Sequence, residues 1–138
     1  MKYFKIIFFL ILSTGNLFAN TEYYNQGVKH FKKDNLLKAK FKFEQDLVLN
    51  PKNEKSYLYL SKIFNSQNKQ ILEEQNLNTV ILLDPRNEEA VYNLSKLKLD
   101  KSDYEESKKL INQLLNFCEN YCKQSKKLKI KIENSLNK

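Results

Sequence analysis

The side chains that could do chemistry in this chain are few and scattered. The 138 residues include one histidine, His30, and two cysteines, Cys118 and Cys122, which lie four positions apart. Nucleophilic and metal sites need several such groups at defined spacing, and a phosphate-binding loop needs several glycines. Gly15 and Gly27 are the only two glycines. The sequence therefore predicts no catalytic residue, no metal site and no cofactor, and the chain is interpreted as a non-enzyme.

Three pairs of adjacent glutamates are the remaining candidates for acid–base chemistry. They are Glu73 with Glu74, Glu88 with Glu89, and Glu105 with Glu106. Each pair falls at the expected start or on the expected surface of a helix, where carboxylates favour the helix dipole and water. Capping and solvation therefore explain these pairs without a reaction.

The two cysteines permit two interpretations. On a continuous helix, the four-residue spacing holds the Cα atoms of Cys118 and Cys122 near the upper limit for a bridge and directs the Cβ atoms poorly. This geometry favours two packed thiols. A bend of the chain at Asn120 would instead permit a disulfide that ties the C-terminal segment to the segment before it, in an oxidising compartment.

The segment 1–19 has the composition of a secretory signal peptide. Lys2 and Lys5 precede an apolar run over residues 6–12, and small and polar residues follow up to Ala19. The apolar run is too short to span a membrane, for which about 20 residues are needed. Export to the periplasm or cell envelope of a bacterium is predicted, and an uncleaved leader that tethers the protein to the inner membrane is the alternative.

Two similar stretches mark the period of an internal repeat. They are Leu49–Asn53 and Leu83–Asn87, and each has a proline at its centre, Pro51 and Pro85. Proline ends a helix because it lacks the amide donor and clashes with the preceding turn. The spacing of the two prolines divides the chain after the signal peptide into three units of equal length, followed by a tail. The units are 20–53, 54–87 and 88–121, and the tail is 122–138.

Each unit has the pattern of two amphipathic helices. In the third unit, Asn87 is the expected N-cap of the first helix, and a capping box that begins at Ser102 is expected to start the second. The apolar residues of the second helix in the middle unit recur at helical spacing. They are Ile71, Leu77, Val80 and Ile81.

These units resemble tetratricopeptide repeats, whose 34-residue pattern ends in proline. The first unit matches this pattern with Gly27, Ala39, Phe43 and Pro51. The resemblance implies an all-α fold, a right-handed helix-turn-helix solenoid of three repeats with a C-terminal capping helix. Three residues depart from the pattern: Asp46 and Glu73 replace small or apolar residues, and Glu119 replaces the expected third proline. Asp46 is expected to loosen the packing of its helix.

The tail is basic and has two alternative structures. Leu128, Ile132 and Leu136 recur every four residues, which predicts a helix that covers the last repeat. The alternation of lysine with apolar residues over 127–132 would also fit an edge strand. Because residues 122–138 contain six lysines and one glutamate, peripheral docking on an anionic lipid surface or wall polymer is the alternative function. Nucleic-acid binding is not expected, since Arg86 is the only arginine.

The resemblance also implies a binding groove along the first helix of each repeat. It places Thr21, Tyr24, Val28, Phe31, Lys55, Leu58, Lys62, Asn65, Glu89, Tyr92, Lys96 and Leu99 on that face. The predicted partner-binding residues are Tyr24, Phe31, Lys55, Leu58, Lys62, Tyr92, Lys96 and Leu99. Their mixture of aromatic, aliphatic and basic side chains favours a peptide or partner helix with apolar and acidic residues. For Val28 and Leu99, packing between helices is an alternative.

One narrower activity of the family, binding of the C-termini of chaperones, is not expected. The members that bind C-terminal carboxylates of chaperones use lysine, asparagine and arginine in the groove. The corresponding residues here are Tyr24, Val28, Tyr59, Glu89 and Asn93, of which only Asn93 is of a suitable type.

Since three repeats are near the minimum for a stable array, association with a second copy is also predicted.

Overall fold

The computed structural model describes residues 22–137, which form seven helices joined by short turns. The helices are α1 over residues 22–32, α2 over Leu36–Leu49, α3 over Glu54–Ser66, α4 over Gln70–Leu83, α5 over Glu88–Asp100, α6 over Tyr104–Leu115 and α7 over Cys122–Leu136. Within these residues there is no strand, so the alternative of an edge strand in the tail is wrong. None of the described helices is long and apolar enough to cross a membrane. The predicted leader at 1–19 lies outside the described residues.

The turn inside each helix pair contains a residue in the left-handed backbone region. Asp34, Asn68 and Ser102 have φ angles of 55°, 55° and 62°. Short polar side chains tolerate this region because they can hydrogen-bond to the local backbone. The three residues recur with the same spacing as Pro51 and Pro85, so the period marked by the prolines also holds for the turns.

Side-chain caps begin both helices of the third pair. Oδ1 of Asn87 accepts a hydrogen bond from the backbone N–H of Ala90 at 3.0 Å, which confirms the predicted cap of α5. The cap of α6 is Asp103, which accepts from the backbone N–H of Glu106 at 3.4 Å. The predicted start of the capping box at Ser102 is wrong by one residue, because Ser102 completes the turn with its positive φ.

The described residues divide into two compact units, with the boundary between Tyr59 and Leu60 inside α3. In the first unit, the side chain of Phe43 on α2 is fully buried, and Gly27 on α1 lies directly beside it. A Cβ atom built on Gly27 would lie 2.6 Å from Cε1 of Phe43. Glycine is therefore required for the phenylalanine ring to approach the backbone of α1 this closely.

A buried carboxylate joins α2 to the start of α3 in the first unit. Asp46 is 0% exposed, and one of its oxygens accepts hydrogen bonds from Ser56 Oγ at 2.5 Å and Asn53 Nδ2 at 2.6 Å. These bonds, both to Oδ2, replace part of the hydration of the carboxylate, whereas Oδ1 is buried without a hydrogen-bond partner among the described residues. The expectation that Asp46 loosens the helix is therefore wrong, because its carboxylate makes a specific contact between two helices.

The second unit has a continuous apolar core from α3 to α7. Its buried apolar residues are Leu60, Ile63, Phe64, Leu77, Val80, Ala90, Val91, Leu94, Leu97, Leu99, Leu110, Ile111, Leu114, Leu128 and Ile132. Ile71, which the helical spacing places in this core, is instead 71% exposed. The buried stripe of α4 is Glu73, Leu77 and Val80, and Ile71 lies on another side of the helix.

The last helix covers the third helix pair, as predicted. Leu128 and Ile132 of α7 are buried, Leu136 is half-buried, and α7 packs on α6 and α5. Between α5 and α6, the hydroxyls of Ser95 and Ser107 each donate to the backbone carbonyl of the other residue, at 2.9 and 2.7 Å. This reciprocal pair brings the two helix backbones into direct contact.

Candidate functional site

In the first unit, two predicted groove residues belong to an aromatic cluster. The ring of Tyr59 stacks on Phe43 at 4.8 Å and meets Phe31 edge-on at 5.0 Å, while Tyr24 lies about equally far from Phe43 and Tyr59, at 6.0 and 6.1 Å. Burial raises the pKa of the Tyr24 phenol, and the charges of Tyr59, Asp46 and Glu54 raise it further. Tyr24 and Phe31 are half-buried, so only part of each ring is available to a partner.

The two predicted groove residues of α3 within the first unit differ in exposure. Lys55 is exposed near the start of the helix, whereas Leu58 is half-buried one turn later. Lys55 can therefore offer a solvated ammonium, and Leu58 a partly covered apolar surface.

The second unit contains an open cleft with walls from α3, α4 and α5. Its volume is about 420 Å³, and it is lined by Ser61, Lys62, Asn65, Asn68, Gln70, Glu73, Glu89, Asn93, Lys96, Leu97 and Asp100. Two of the predicted groove residues, Lys62 and Lys96, lie in this cleft. Nearly all of its lining side chains are polar or charged, so the cleft can recognise a ligand by hydrogen bonds and charge.

Glu73 is the most deeply buried charged residue of the cleft. It is 4% exposed, and its Oε1 accepts a hydrogen bond from Nδ2 of Asn65 at 2.9 Å. Burial raises the pKa of this carboxyl and the charge of Asp100 raises it further, whereas the bond from Asn65 and the charge of Lys96 oppose the shift. The carboxylate is thus held at the wall of the cleft with less stabilisation than it would have in water.

The neighbouring glutamate, Glu74, is surrounded by positive charges that stabilise its ionised form. Glu74 accepts from the ammonium groups of Lys101 at 2.5 Å and Lys98 at 2.8 Å, and these bonds lower its pKa. Lys98 also pairs with Asp103 at 3.4 Å. Glu74 therefore fixes α4 to α5, and this fixation does not depend on Glu73.

Another ion pair spans the cleft itself. Nζ of Lys62 on α3 lies 2.8 Å from Oε1 of Glu89 on α5, and the two side chains are 29% and 30% exposed. Lys96, one of the predicted groove residues, is exposed one turn before the end of α5, and Asp100 follows it in the last turn. The cleft therefore contains two lysines and three carboxylates, with Lys62 and Glu89 already paired.

The remaining predicted groove residues of α5 are partly or wholly packed. The ring of Tyr92 lies 5.4 Å from the ring of Tyr121, at the start of α7. Leu99 is only 6% exposed, so its assignment to the groove is wrong and the alternative of packing between helices is correct. Tyr92 is half-buried and keeps a surface for contact.

The two cysteines form a disulfide at the junction between α6 and α7. The helix α6 ends at Leu115, and Cys122 begins α7, so the cysteines do not share a continuous helix. Their Cα atoms are 5.3 Å apart, within the usual range for a bridge. The favoured interpretation of two packed thiols is therefore wrong, because the chain bends between them.

A carboxylate from α5 holds the same junction. Glu88 accepts hydrogen bonds from the backbone N–H groups of Glu119, Asn120 and Tyr121 at 2.8, 3.0 and 2.8 Å. Partial desolvation opposes ionisation of Glu88, but these three donors lower its pKa overall. Glu88 does more than favour the dipole of its own helix, since it anchors the segment that leads into α7.

Several cleft residues are not recognisable from the sequence as a binding set. The repeat pattern places Asn65, Glu89 and Asn93 in the groove, but it does not assign Glu73 and Asp100 to binding. The replacement of a small residue by Glu73 is the one signal that could have located the cleft. Among the described residues, no group of three or more His, Cys, Asp and Glu side chains is arranged to hold a metal ion.

No known protein-family model and no curated protein matches the chain. Solved structures do resemble it. The first TPR of Spaghetti (RPAP3), bound to the HSP90 peptide SRMEEVD, is 18% identical and has a TM-score of 0.78 over 86% of this chain and 94% of that one. The fold is that of tetratricopeptide-repeat domains. The predicted all-α helix-turn-helix solenoid is therefore confirmed.

Two further structures are similar. The Arabidopsis OM64 TPR domain is 20% identical, with a TM-score of 0.77 over 87% of this chain and 98% of that one. The Yersinia enterocolitica type III secretion chaperone SycD, in complex with a peptide of the translocator YopD, is 14% identical, with a TM-score of 0.68 over 85% and 88% of the two chains. These solved structures span almost the same length as the chain.

Proposed function

We propose that this protein is an exported, non-enzymatic interaction module of the bacterial cell envelope. It acts as an adaptor or assembly factor that binds a peptide or partner helix through the first helices of its repeats. The observation that supports this function best is the open, charged cleft between α3 and α5. This cleft presents side chains of two successive first helices to the same volume, which suits a ligand that lies across them.

The similar solved structures support a peptide as the class of partner. The TPR domain of Spaghetti is bound to a peptide, and SycD is bound to a peptide of YopD. Since these two relatives are only 18% and 14% identical to the chain, their ligands are not transferred, and peptide binding itself is the proposal. The chaperone-tail peptide is disfavoured because the lining of the cleft contains three carboxylates and only two lysines, one of which, Lys62, is paired with Glu89 at 2.8 Å. A like charge of a C-terminal carboxylate would be repelled there.

Selection from a displayed library of random peptides tests the function on the full chain. Wild-type protein should enrich a family of related peptides, and Lys96→Glu should change their affinity at least about ten-fold, because it reverses a charge in the cleft. Lys109→Glu is the matched control, since Lys109 is exposed on α6 outside the cleft. Failure to enrich any peptide, or equal loss in both variants, would overturn the proposed function.

A second function is favoured by the surface of α7. Lys123, Lys126, Lys127 and Lys131 are exposed on this helix, together with Ile130, which is 59% exposed. Basic side chains beside an apolar one suit peripheral docking on an anionic lipid surface. Flotation with phosphatidylglycerol vesicles should be lost in Lys126→Glu/Lys127→Glu and retained in Lys108→Glu/Lys109→Glu. Equal flotation of both variants would exclude α7 as the docking surface.

A further inference from the structure

We propose that the cleft between α3 and α5 binds a cationic side chain, the ammonium of a lysine or the guanidinium of an arginine, with Glu73 as its principal acceptor. This inference rests on the proposed peptide-binding function and names a chemical feature of the ligand. It differs from the sequence-based expectation of a peptide with apolar and acidic residues, which rested on the aromatic, aliphatic and lysine side chains of the groove.

The position of Glu73 is the first argument. At the equivalent positions of the other two helix pairs stand Ala39 and Ser107, both fully buried, and neither of them is charged. Glu73 is also buried, yet it lines the open cleft and has a hydrogen bond to Asn65 on only one oxygen. A carboxylate removed from water requires a donor or a cation to replace its hydration.

The distribution of charge in the cleft is the second argument. Lys62 and Glu89 neutralise each other at 2.8 Å. Of the remaining charged side chains of the lining, Glu73 and Asp100 are acidic and Lys96 is basic. The cleft therefore lacks one positive charge, and a ligand cation placed near Glu73 and Asp100 would supply it. The raised pKa of Glu73 agrees with this, because it reports a carboxylate that is short of compensating charge.

A structural role accounts for one oxygen of Glu73, Oε1, which accepts the hydrogen bond from Asn65 that joins α4 to α3. The ion pairs that join α4 to α5 are made by Glu74 with Lys98 and Lys101. At the corresponding contact between α5 and α6, two serines suffice. The volume of about 420 Å³ is within the range of ligand-binding pockets, about 300–1,000 Å³. The cleft can therefore admit a long side chain together with water.

A titration with small amides tests the inference directly. The probe is N-acetyl-lysine methylamide, added to the ¹⁵N-labelled full chain and followed by backbone amide chemical shifts. Shifts should concentrate in α3, α4 and α5 around the cleft, and Glu73→Gln should weaken binding about ten-fold or more. Lys96→Gln should strengthen it about two-fold or more, because a competing cation is removed. N-acetyl-norleucine methylamide, which lacks the charge, should not bind at the cleft.

The controls separate charge from folding. Glu105→Gln removes a carboxylate from an exposed position on α6 and should leave the affinity for the lysine amide unchanged. Asp100→Asn provides a second variant in the cleft, and circular dichroism checks that each variant is folded. Equal binding of the lysine amide by wild type, Glu73→Gln and Asp100→Asn would overturn the inference, as would equal binding of the norleucine amide.

The peptide library separates this inference from the proposed function. Peptides selected by wild-type protein should have a lysine or arginine at one fixed position, and Glu73→Gln should select peptides without that preference. If peptides are enriched but have no basic residue in common, the inference fails and the function stands. If no peptide is enriched but the lysine amide binds at the cleft, the function fails and the cation site stands.

Discussion

The α5–α6 pair and the α3–α4 pair use equivalent positions of the repeat in different ways. Between α5 and α6, Ser95 and Ser107 are fully buried and exchange hydrogen bonds with each other's backbone. In the preceding pair, Ser61 and Glu73 occupy these positions, and both side chains line an open cleft. Where the α5–α6 pair has a small residue in a contact between helices, the α3–α4 pair thus has a long acidic residue in the wall of an open cleft.

The α5–α6 pair, called the closed pair below, is also connected to the segment that leads into α7. Glu88 at the start of α5 accepts three backbone hydrogen bonds from the segment before α7. The Cys118–Cys122 disulfide closes the same segment. The segment between α6 and α7, which does not line the cleft, is therefore fixed by a disulfide and by charge-assisted hydrogen bonds.

The largest effect is expected when a glutamate, the residue of the α3–α4 pair (called the open pair), is placed at the equivalent position of the closed pair. Ser107→Glu should lower the free energy of unfolding by about 3 kcal/mol or more, because a carboxylate would be buried between backbones in contact. Chemical denaturation measures this loss. Lys109→Glu, at an exposed position of the same helix, is the control and should change stability by less than about 0.5 kcal/mol. If both variants are equally stable, the closed pair is not as closely packed as the comparison requires.

The repeat period and the fold could be predicted because they depend on local features. Pro51 and Pro85 end helices, and Leu110, Ile111 and Leu114 form a stripe at helical spacing that is buried in α6. These features act through backbone geometry and hydrophobic burial within one or two turns. They do not depend on which residues distant in sequence are brought together.

The cleft could not be predicted, because its properties depend on contacts between helices. The environment of Glu73 is set by Asn65 on α3 and by Lys96 and Asp100 on α5. The repeat position of Leu99 assigns it to the groove, but α5 is packed against α4, α6 and α7 and buries it. A central helix has neighbours on several sides, and a repeat position alone does not reveal all of them.

A smaller effect is expected from removal of one hydroxyl in the closed pair. Ser95→Ala removes the donor to the carbonyl of Ser107 and should lower the free energy of unfolding by about 1 kcal/mol. Thermal denaturation of the variant measures it. In the control Ser135→Ala, the lost bond is an exposed one to Lys131 within α7, so a smaller change is expected. A loss as small as that of the control would contradict a specific role for the reciprocal serine pair.

The hydrogen bonds that Glu88 accepts from the segment before α7 predict that the stability of the protein depends on pH. Since the folded pKa of Glu88 is lowered, its contribution is fully present above the ordinary carboxyl pKa and is lost as pH falls through the folded value. Glu88→Gln should therefore be less stable than wild type at pH 7, by less than Ser95→Ala, and this difference should shrink at pH 3. Melting temperatures of both proteins across this range are the measurement. A difference that stays constant with pH would exclude ionisation of Glu88 as the cause.

The smallest effect on stability is expected for Glu73 in the open pair. Its pH dependence has the opposite sign to that of Glu88. The pKa of Glu73 is raised by burial, so the folded protein binds this proton more tightly than the unfolded chain does. Stability therefore falls as pH rises from the ordinary carboxyl pKa through the raised one. Glu73→Gln should remove this fall and be slightly more stable than wild type at pH 7.

The other charged groups that face Glu73 in the cleft are Lys62, Glu89, Lys96 and Asp100, and the variant leaves them in place. Melting temperatures of wild type, Glu73→Gln and the exposed control Glu105→Gln across pH 4 to 7 test the difference. A gain in Glu73→Gln alone, together with loss of binding to the lysine amide, would mean that the chain retains a destabilising carboxylate for recognition. A loss of stability in Glu73→Gln would instead assign this residue a structural role, and the contrast between the two helix pairs would then concern packing alone.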